Sequence, residues 1–442
     1  MESIAKQSRT RRMRCDYSEE ASLRWRQTVS SARGRLWSAW TVLALMGNPS
    51  SSCHEPRPIV AMAPNDWQGQ WMNRQQLLSR LAGRGRRIVY SPGQWHSWQR
   101  VDPRWRAASF RGEFREHQRV LVDYPPKWLL RVPRVPLLDE ISVRWAAGRL
   151  RRAAWDNLGR PPITYIFHPT YQPYAAALRP HPLVYHAYDL FEEAPGWNGK
   201  AAAREDWLLM HADLAIASSE VAAERLAERS GRSVRFLPNG ANTRAFGEAR
   251  SCARVPVDLA AIQRPRIGYV GSVNRKLDLS LIAQLAVARP QWQFVLTGPV
   301  GSLDEETAAG LERCASLRNV HLLGERPHDQ LPAYVAHLDV ATMPYRTGPG
   351  LWTGAGYPLK LHEYLAADVP VVTTRLACLE PFSTVLAFAD NFTEWEQGIR
   401  HALEEGGVGQ GLRQQVATEN DWDLRAEQLD AWLSEIQERA HV

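Results

Sequence analysis

The sequence lacks the short patterns that mark most catalytic classes. No GxGxxG, GxxxxGK[ST], GxSxG or HExxH occurs, so a dinucleotide fingerprint, a P-loop, a nucleophile elbow and a zincin helix are all missing. CxxC spacing is missing too. The five cysteines, Cys15, Cys53, Cys252, Cys314 and Cys378, are scattered and odd in number, which argues against a disulfide framework or a zinc site and fits a reducing cytoplasm. Long apolar runs are also scarce: the longest, "LWSAWTVLALMG" at 36–47, is too short to cross a bilayer. With basic residues before it and "NPSSSC" after it, that run reads either as the core of a signal peptide or as part of a poorly ordered extension. The second reading is preferred here because the regular α/β pattern begins only at Pro58.

Positive charge is concentrated at one end. Residues 1–57 hold ten Lys/Arg against five Asp/Glu, so five of the chain's seven surplus charges lie there and the remaining body averages close to neutral. A groove tracking a phosphate backbone needs clustered cations with interleaved aromatics on the folded part, and nucleic acid is therefore not expected as a partner. The 18 tryptophans are numerous, and core packing accounts for most of them.

What is present is an α/β alternation over a chain long enough for two domains, 442 residues. "PIVAMA" (58–63), "RIVYSPG" (87–93), "ITYIFHP" (163–169), "LVYHAYD" (183–189), "LAIASS" (214–219) and "VRFLPNG" (234–240) read as strands with amphipathic stretches between them. The irregular "SCARVPVDLAAIQRP" (251–265) reads as a linker, after which the period restarts through "RIGYVGSV", "QFVLTGPVG", "VHLLGERP", "LDVATMPYR", "VPVVTT" and "VLAFAD". The expected division is a disordered basic extension at 1–57, a Rossmann-like domain at 58–250, a second at 251–415 and a closing helix at 416–442 that packs back toward the first domain. Asn420 or Asp421 suits the cap of that helix, which makes capping the better reading of the DxD-like "DWD" at 421–423, and no metal is expected.

Residues 102–160 break the pattern. They are rich in Arg and Trp, and "PPKWLLRVPRVPLLDEI" (125–141) suits either contact with an anionic membrane surface or a proline-routed loop with buried leucines.

Two tandem Rossmann-like domains would face each other across a cleft at the carboxyl ends of their strands, where open α/β sheets bind ligands. In "GYVGSVNRK" (268–276) small residues end a strand and Arg275 and Lys276 open a helix; this is either an anion site suited to a diphosphate or a solvated surface pair. In "YPLKLHEYLAADVPVVTT" (357–374), Lys360 and Glu363 share a helix face three residues apart. Lys360 can join the anion site and Glu363 can accept from ribose hydroxyls, or the two form a plain intrahelical ion pair.

These stretches, with "GPVG", "NVHLLGERPHDQLPAYVAHLDVATMPYR" and the "LPNGANTRAF" turn, resemble the donor domain of GT-B glycosyltransferases of the large retaining family four. "PNDWQGQWMNRQQLLSRLAGRGRRIVYSPG" and "VYHAYDLFEEAPGW" resemble the acceptor halves of bacterial members acting in surface polysaccharide assembly, and the likeness covers about residues 58–437. It implies that Arg275 and Lys276 hold a donor diphosphate, Gly271 admits the backbone, Glu363 binds the ribose and Arg326 lies by the nucleobase. Ala355 stands where the family places a second acid, so sugar contacts would fall to backbone groups at Gly354 and Gly356. Asp368 replaces a usual glycine after the helix, a place aspartate tolerates.

For the acceptor hydroxyl the candidate bases at strand ends are Asp189, then His168, with His186 nearby. The expectation is a cytoplasmic enzyme, either free or at the inner face of the membrane, moving a sugar from a nucleotide-diphosphate sugar to a glycan or lipid-linked acceptor. No further cofactor is expected. Two other classes stay open: a GT-B-shaped nucleotide-sugar epimerase and a non-catalytic nucleotide-sugar binding partner.

Overall fold

The computed structural model describes residues 56–439, apart from 156–159, 195, 253, 349–350, 352–355 and 410. The basic extension up to Glu55 lies outside the described residues, as do Gly354 and Ala355. Among the described residues no helix is long and apolar enough to cross a membrane.

The first sheet has eight strands: β1 (Ile59–Met62), β2 (Ile88–Ser91), β3 (Glu113–His117), β4 (Val120–Tyr124), β5 (Ile163–Ile166), β6 (Leu183–Ala187), β7 (Leu214–Ala217) and β8 (Val234–Phe236). They run in the order β3-β4-β2-β1-β5-β6-β7-β8, all parallel except the β3–β4 pair. Strands such as IVAM and LVYHA are buried along their whole length because helices cover both faces, so they read as unbroken apolar runs. One face packs Val60, Ile166 and Tyr185 against Val143, Ala147 and Leu150. The opposite face packs Ile59, Tyr90 and Tyr165 against Leu77 and Leu81 and also against Leu429 and Leu433 from the far end of the chain.

The second sheet comprises β9 (Arg266–Val270), β10 (Gln293–Thr297), β11 (Val320–Gly324), β12 (Val340–Met343), β13 (Val371–Thr373) and β14 (Leu386–Phe388) in the order β11-β10-β9-β12-β13-β14, all parallel. Each sheet reverses direction beside its first strand, at β1/β5 and at β9/β12. Those switch points, at the carboxyl ends of the strands, are where loops diverge and leave a crevice.

Three features differ from the reading of the bare sequence. Residues 102–160 are not simply irregular: they form the β3–β4 hairpin, turned through Gln118 and Arg119 at φ 50° and 67° in the left-handed pair that a tight hairpin needs, followed by a 19-residue helix, Pro136–Ala154. Their polar, arginine-rich character masked both elements because each has one outward face. The helix Thr243–Cys252, assigned above to the first domain, carries Phe246 into the core of the second. Arg275 and Lys276 do not open a helix either: the helix starts at Leu279, capped by the Asp278 carboxylate accepting from the Leu281 N–H at 2.8 Å, and the two cations sit in the turn before it.

The last helix, Trp422–Arg439, lies on the first sheet, tied by Asp423 to Arg80 at 2.7 Å, by Asp430 to the buried Arg86 and by Glu435 to Arg235 at 2.6 Å. Asp421 caps it, Oδ1 accepting from Asp423 N at 2.6 Å while Oδ2 accepts from Thr243 N at 3.0 Å. Gly240 packs so closely on this start that a Cβ there would stand 2.5 Å from the Asn420 carbonyl oxygen. Asp368, following the helix Lys360–Ala366, adopts φ 51° and accepts from Arg413 Nε at 2.8 Å.

Candidate functional site

The two switch points face a cavity of about 1210 Å³. Its second-domain wall is built from the turns after β9, β10, β11 and β12. Val270, the last residue of β9, donates to Tyr364 Oη at 2.8 Å, which pins the strand end to the helix Lys360–Ala366. Gly271 follows at φ 150°, and a side chain there would meet Lys360 Cε at 2.8 Å. Lys360 Nζ stands 4.8 Å from the centre of the Tyr269 ring and donates to Tyr345 Oη at 3.1 Å. Burial works against its charge, but the surrounding Tyr269, Tyr345 and Tyr364 hydroxyls outweigh that cost and hold the ammonium cationic. One turn along, half-buried Glu363 also lines the cavity, its carboxyl pushed up to about 7 by burial, with Lys360 pulling the other way.

Lys276 lines the same wall, and burial lowers its ammonium to about 8; Asp189 opposes that shift while Lys360 and Arg275 add to it. Its turn is clamped from behind: the Arg346 N–H donates to the Lys276 carbonyl at 2.8 Å, Arg346 Nη1 donates to the Arg275 carbonyl at 3.2 Å, and the same guanidinium pairs with Asp304 at 2.7 Å. Arg275 itself is not among the lining residues. Lys276 and Lys360 thus bring two ammonium groups to the cavity beside the open backbone at Gly271, with the Glu363 carboxyl one turn from Lys360 on the same wall, an arrangement that can accept an anion.

Arg326 lines the cavity, as its neighbours in "GER" suggest, yet it is already engaged: Nη2 pairs with Asp258 at 2.7 Å and Nε donates to Tyr334 Oη at 2.8 Å. Its Nη1 also donates to the Glu325 carbonyl at 2.8 Å, so all three guanidinium nitrogens are engaged and a contact with a base would use its plane. Gly356 lies just ahead of Tyr357 and Pro358 on the rim, its carbonyl oxygen 3.0 Å from Cys378 Sγ. Gly354 is outside the described residues.

The first domain supplies the opposite wall. Asp189, two residues beyond β6, lines the cavity and acts electrostatically on Lys276 across it. Among the described lining residues His168 does not appear; it caps the turn after β5, Nδ1 accepting from the Thr170 N–H at 3.2 Å, and burial lowers it to about 4. His186 is interior, between Tyr165 Oη at 2.9 Å and Ser218 Oγ at 3.2 Å, and burial lowers it to about 3. It is a core histidine.

Contacts between the two domains that sequence reasoning missed close the cleft. Trp71, before the helix Asn73–Gly83, stacks on His328 of the second domain at 5.2 Å and 9°, and Gln76 Nε2 lies 3.1 Å from His328 Nε2. Asn239, from the turn that leaves the first domain, donates to the Tyr357 carbonyl at 2.9 Å. The only sequence signal for the first pair was the aromatic just ahead of a helix start in the first strand's loop.

Two parallel α/β sheets facing one cleft define the GT-B fold, and solved structures agree. Sucrose-phosphate synthase from Thermosynechococcus elongatus superposes with a TM-score of 0.62 at 18% identity, covering 87% of this chain and 100% of that one. Anabaena HepE, solved with UDP-glucose, gives 0.63 at 14% identity over 86% and 99%. The trehalose-6-phosphate synthase OtsA gives 0.61 at 13% over 85% and 99%. At the level of sequence, residues 264–405 match the family described as glycosyl transferases group 1, so the second domain is of that family. TuaH of Bacillus subtilis (strain 168), named for a glycosyltransferase of teichuronic acid biosynthesis, is 28% identical over 169 residues, 37% of this chain and 41% of its own length. The match therefore spans about two fifths of that relative.

Proposed function

We propose that the protein transfers a sugar from a nucleotide-diphosphate sugar to a glycan or lipid-linked acceptor in cell-surface polysaccharide synthesis, at the cytoplasmic side. The observation that carries this reading is the pairing of a diphosphate-sized cation site, Lys276 and Lys360 around Gly271, with the Asp189 carboxylate facing it from the other domain. The group 1 family match of the donor-side domain supports the same reading.

In that reaction the bond between the anomeric carbon and the β-phosphate oxygen breaks and a bond from that carbon to the acceptor oxygen forms. Lys276 and Lys360 neutralise the charge that accumulates on the departing diphosphate, and they do so where burial has already removed competing water. The acceptor proton passes to the Asp189 carboxylate or to the departing phosphate oxygen. In the second route, which goes with retention of configuration, Asp189 balances the oxocarbenium-like sugar. Hexosyl transfer with retention is the finer form of the proposal, supported by the resemblance of the donor-side motifs.

The test is nucleoside diphosphate release by the purified protein from a panel of nucleotide sugars, with and without a membrane extract, beside Lys276→Ala and Glu363→Ala. Extract-dependent release with one donor, lost in both variants, is expected. Donor binding without release would replace this reading with a binding partner, and interconversion of donors without acceptor would replace it with an epimerase. The anomeric configuration of the product reads retention.

A further inference from the structure

Of the 19 large apolar side chains that are exposed among the described residues, ten fall between 98 and 155. The helix Pro136–Ala154 concentrates them. Its buried side presents Val143, Ala147 and Leu150 to the sheet, while Leu137, Leu138, Ile141 and Trp145, at the i, i+1, i+4, i+8 spacing of one helical stripe, point the other way. Leu137 is 68% and Trp145 64% exposed. Trp128, from the preceding loop, meets Trp145 edge to face at 6.4 Å and widens the stripe. Scattered single apolar residues on a surface mean little, but a contiguous aliphatic and aromatic face on one element marks a contact.

Its charge says with what. Residues 98–155 carry thirteen Lys/Arg and six Asp/Glu, a surplus of seven, whereas the extension 1–57 holds a surplus of five and the whole chain seven. The rest of the protein is therefore acidic by five. Arg134, Arg144, Arg151 and Arg152 are exposed around the apolar stripe; of the stripe's acids, Asp139 is tied up by Arg131 at 2.7 Å and Glu140 by Arg144 at 2.7 Å. Tryptophan, leucine and isoleucine on one face with arginines along its border is the pattern of a helix that lies in the plane of a bilayer interface, apolar side among the acyl chains and cations at the headgroups.

We infer that this face docks the protein on an anionic lipid bilayer. Position supports the assignment. The segment leading into the helix is tied to the loop after β2, with the Arg131 N–H donating to the Trp95 carbonyl at 2.8 Å, so the stripe's amino end sits at the carboxyl end of the strands, on the same side as the cleft. A lipid-linked substrate would then reach the cavity without leaving its membrane. The docking itself does not rest on the transferase reading and is measured without turnover.

The experiment is co-sedimentation of the full chain with vesicles of phosphatidylcholine alone and of phosphatidylcholine with phosphatidylglycerol. Two double variants accompany it: Leu138→Ser with Trp145→Ser, and Arg144→Glu with Arg151→Glu. Both pairs lie outside the cavity, so an unchanged thermal unfolding transition shows that each variant is folded. The wild type is expected to sediment only with the anionic vesicles and to be released by salt, with each double variant partitioning about tenfold less or weaker. Wild-type levels of binding in both variants would overturn the inference and assign adsorption to the basic extension. A wild type that ignores vesicles but forms a dimer lost in the serine variant would also overturn it, making the face an interface between two copies.

Discussion

A methyl group on Gly271 would stand 2.8 Å from Cε of Lys360 and 3.1 Å from its ammonium nitrogen. The missing side chain is therefore what leaves room beside the Lys360 ammonium at the end of β9. Because φ is 150° there, an L-residue is also strained. Gly271→Ala is expected to weaken UDP binding roughly tenfold, at a cost of about 1–2 kcal/mol in strain and displaced Lys360. Calorimetric titration measures it, and unaltered affinity would remove Gly271 from the site.

Lys276 gives the site a pH limit. Its ammonium, lowered to about 8 by burial, is charged below that value and is lost above it, whereas a bound diphosphate favours the charged form. Above pH 8, UDP affinity should fall by about tenfold per pH unit as one proton becomes linked to binding. Lys276→Arg, charged throughout, should abolish the fall. A wild-type profile flat to pH 9.5, measured in buffers of equal ionic strength, would contradict the assignment.

Glu363 predicts a pH dependence in the free protein. Its carboxyl is raised from 4.5 to about 7, so the stability it contributes is complete below 4.5 and disappears as pH climbs through 7. Thermal unfolding without ligand should therefore occur at lower temperature at pH 8 than at pH 5, and Glu363→Gln should flatten that difference. The same variant should weaken UDP about tenfold while leaving 2′,3′-dideoxy-UDP, which has no diol to donate, nearly unchanged. Equal losses for both nucleotides would place Glu363 away from the ribose.

For Asp189→Asn, turnover is expected to drop by roughly a hundredfold or more, the range of a positioned proton acceptor or counter-charge. UDP affinity should hold or rise, since a negative neighbour of the diphosphate has gone. Separate measurement of release rate and binding decides this; a loss confined to binding would mean that Asp189 only supports Lys276.

The last helix makes a stability prediction. Arg86 is 2% exposed, donates to the Asp430 carbonyl at 3.2 Å and to Ser434 Oγ at 3.1 Å, and pairs with the Asp430 carboxylate. Asp430→Ala strands a buried guanidinium and should lower the unfolding free energy by about 3 kcal/mol, whereas Arg86→Met, which removes the charge as well, should cost less. Urea denaturation of the two variants gives the order.

Much of the second-domain wall of the cavity was legible because its signals are local. Gly271 directly follows a strand, Lys276 sits in the turn between that strand and the next helix, and Lys360 and Glu363 stand in the first turn of a helix, and strand ends at a switch point are where α/β sheets bind ligands. His168 and His186 were legible only as residue types near a strand end. Which of them reaches the cleft depends on the side to which each strand turns its side chains and on which groups fill the space beside them. The Trp71–His328 stack was legible only as an aromatic ahead of a helix start, because 257 positions separate its partners and nothing in either segment names the other.

The sequence by itself determined the alternation of strands and helices and the placement of small residues and cations at the donor turns, since apolar period, cap residues and glycines act over a few residues. It also carried the charge imbalance between 98 and 155, hidden when the body was averaged as one. Tertiary structure alone decided that Asp189 faces Lys276 across two domains, and that Leu137, Leu138, Ile141 and Trp145 stay outside. The helix Pro136–Ala154 has apolar residues on both sides, so its period cannot say which stripe the sheet covers; the packing of Val143, Ala147 and Leu150 settles that, and leaves the other stripe to whatever the protein meets.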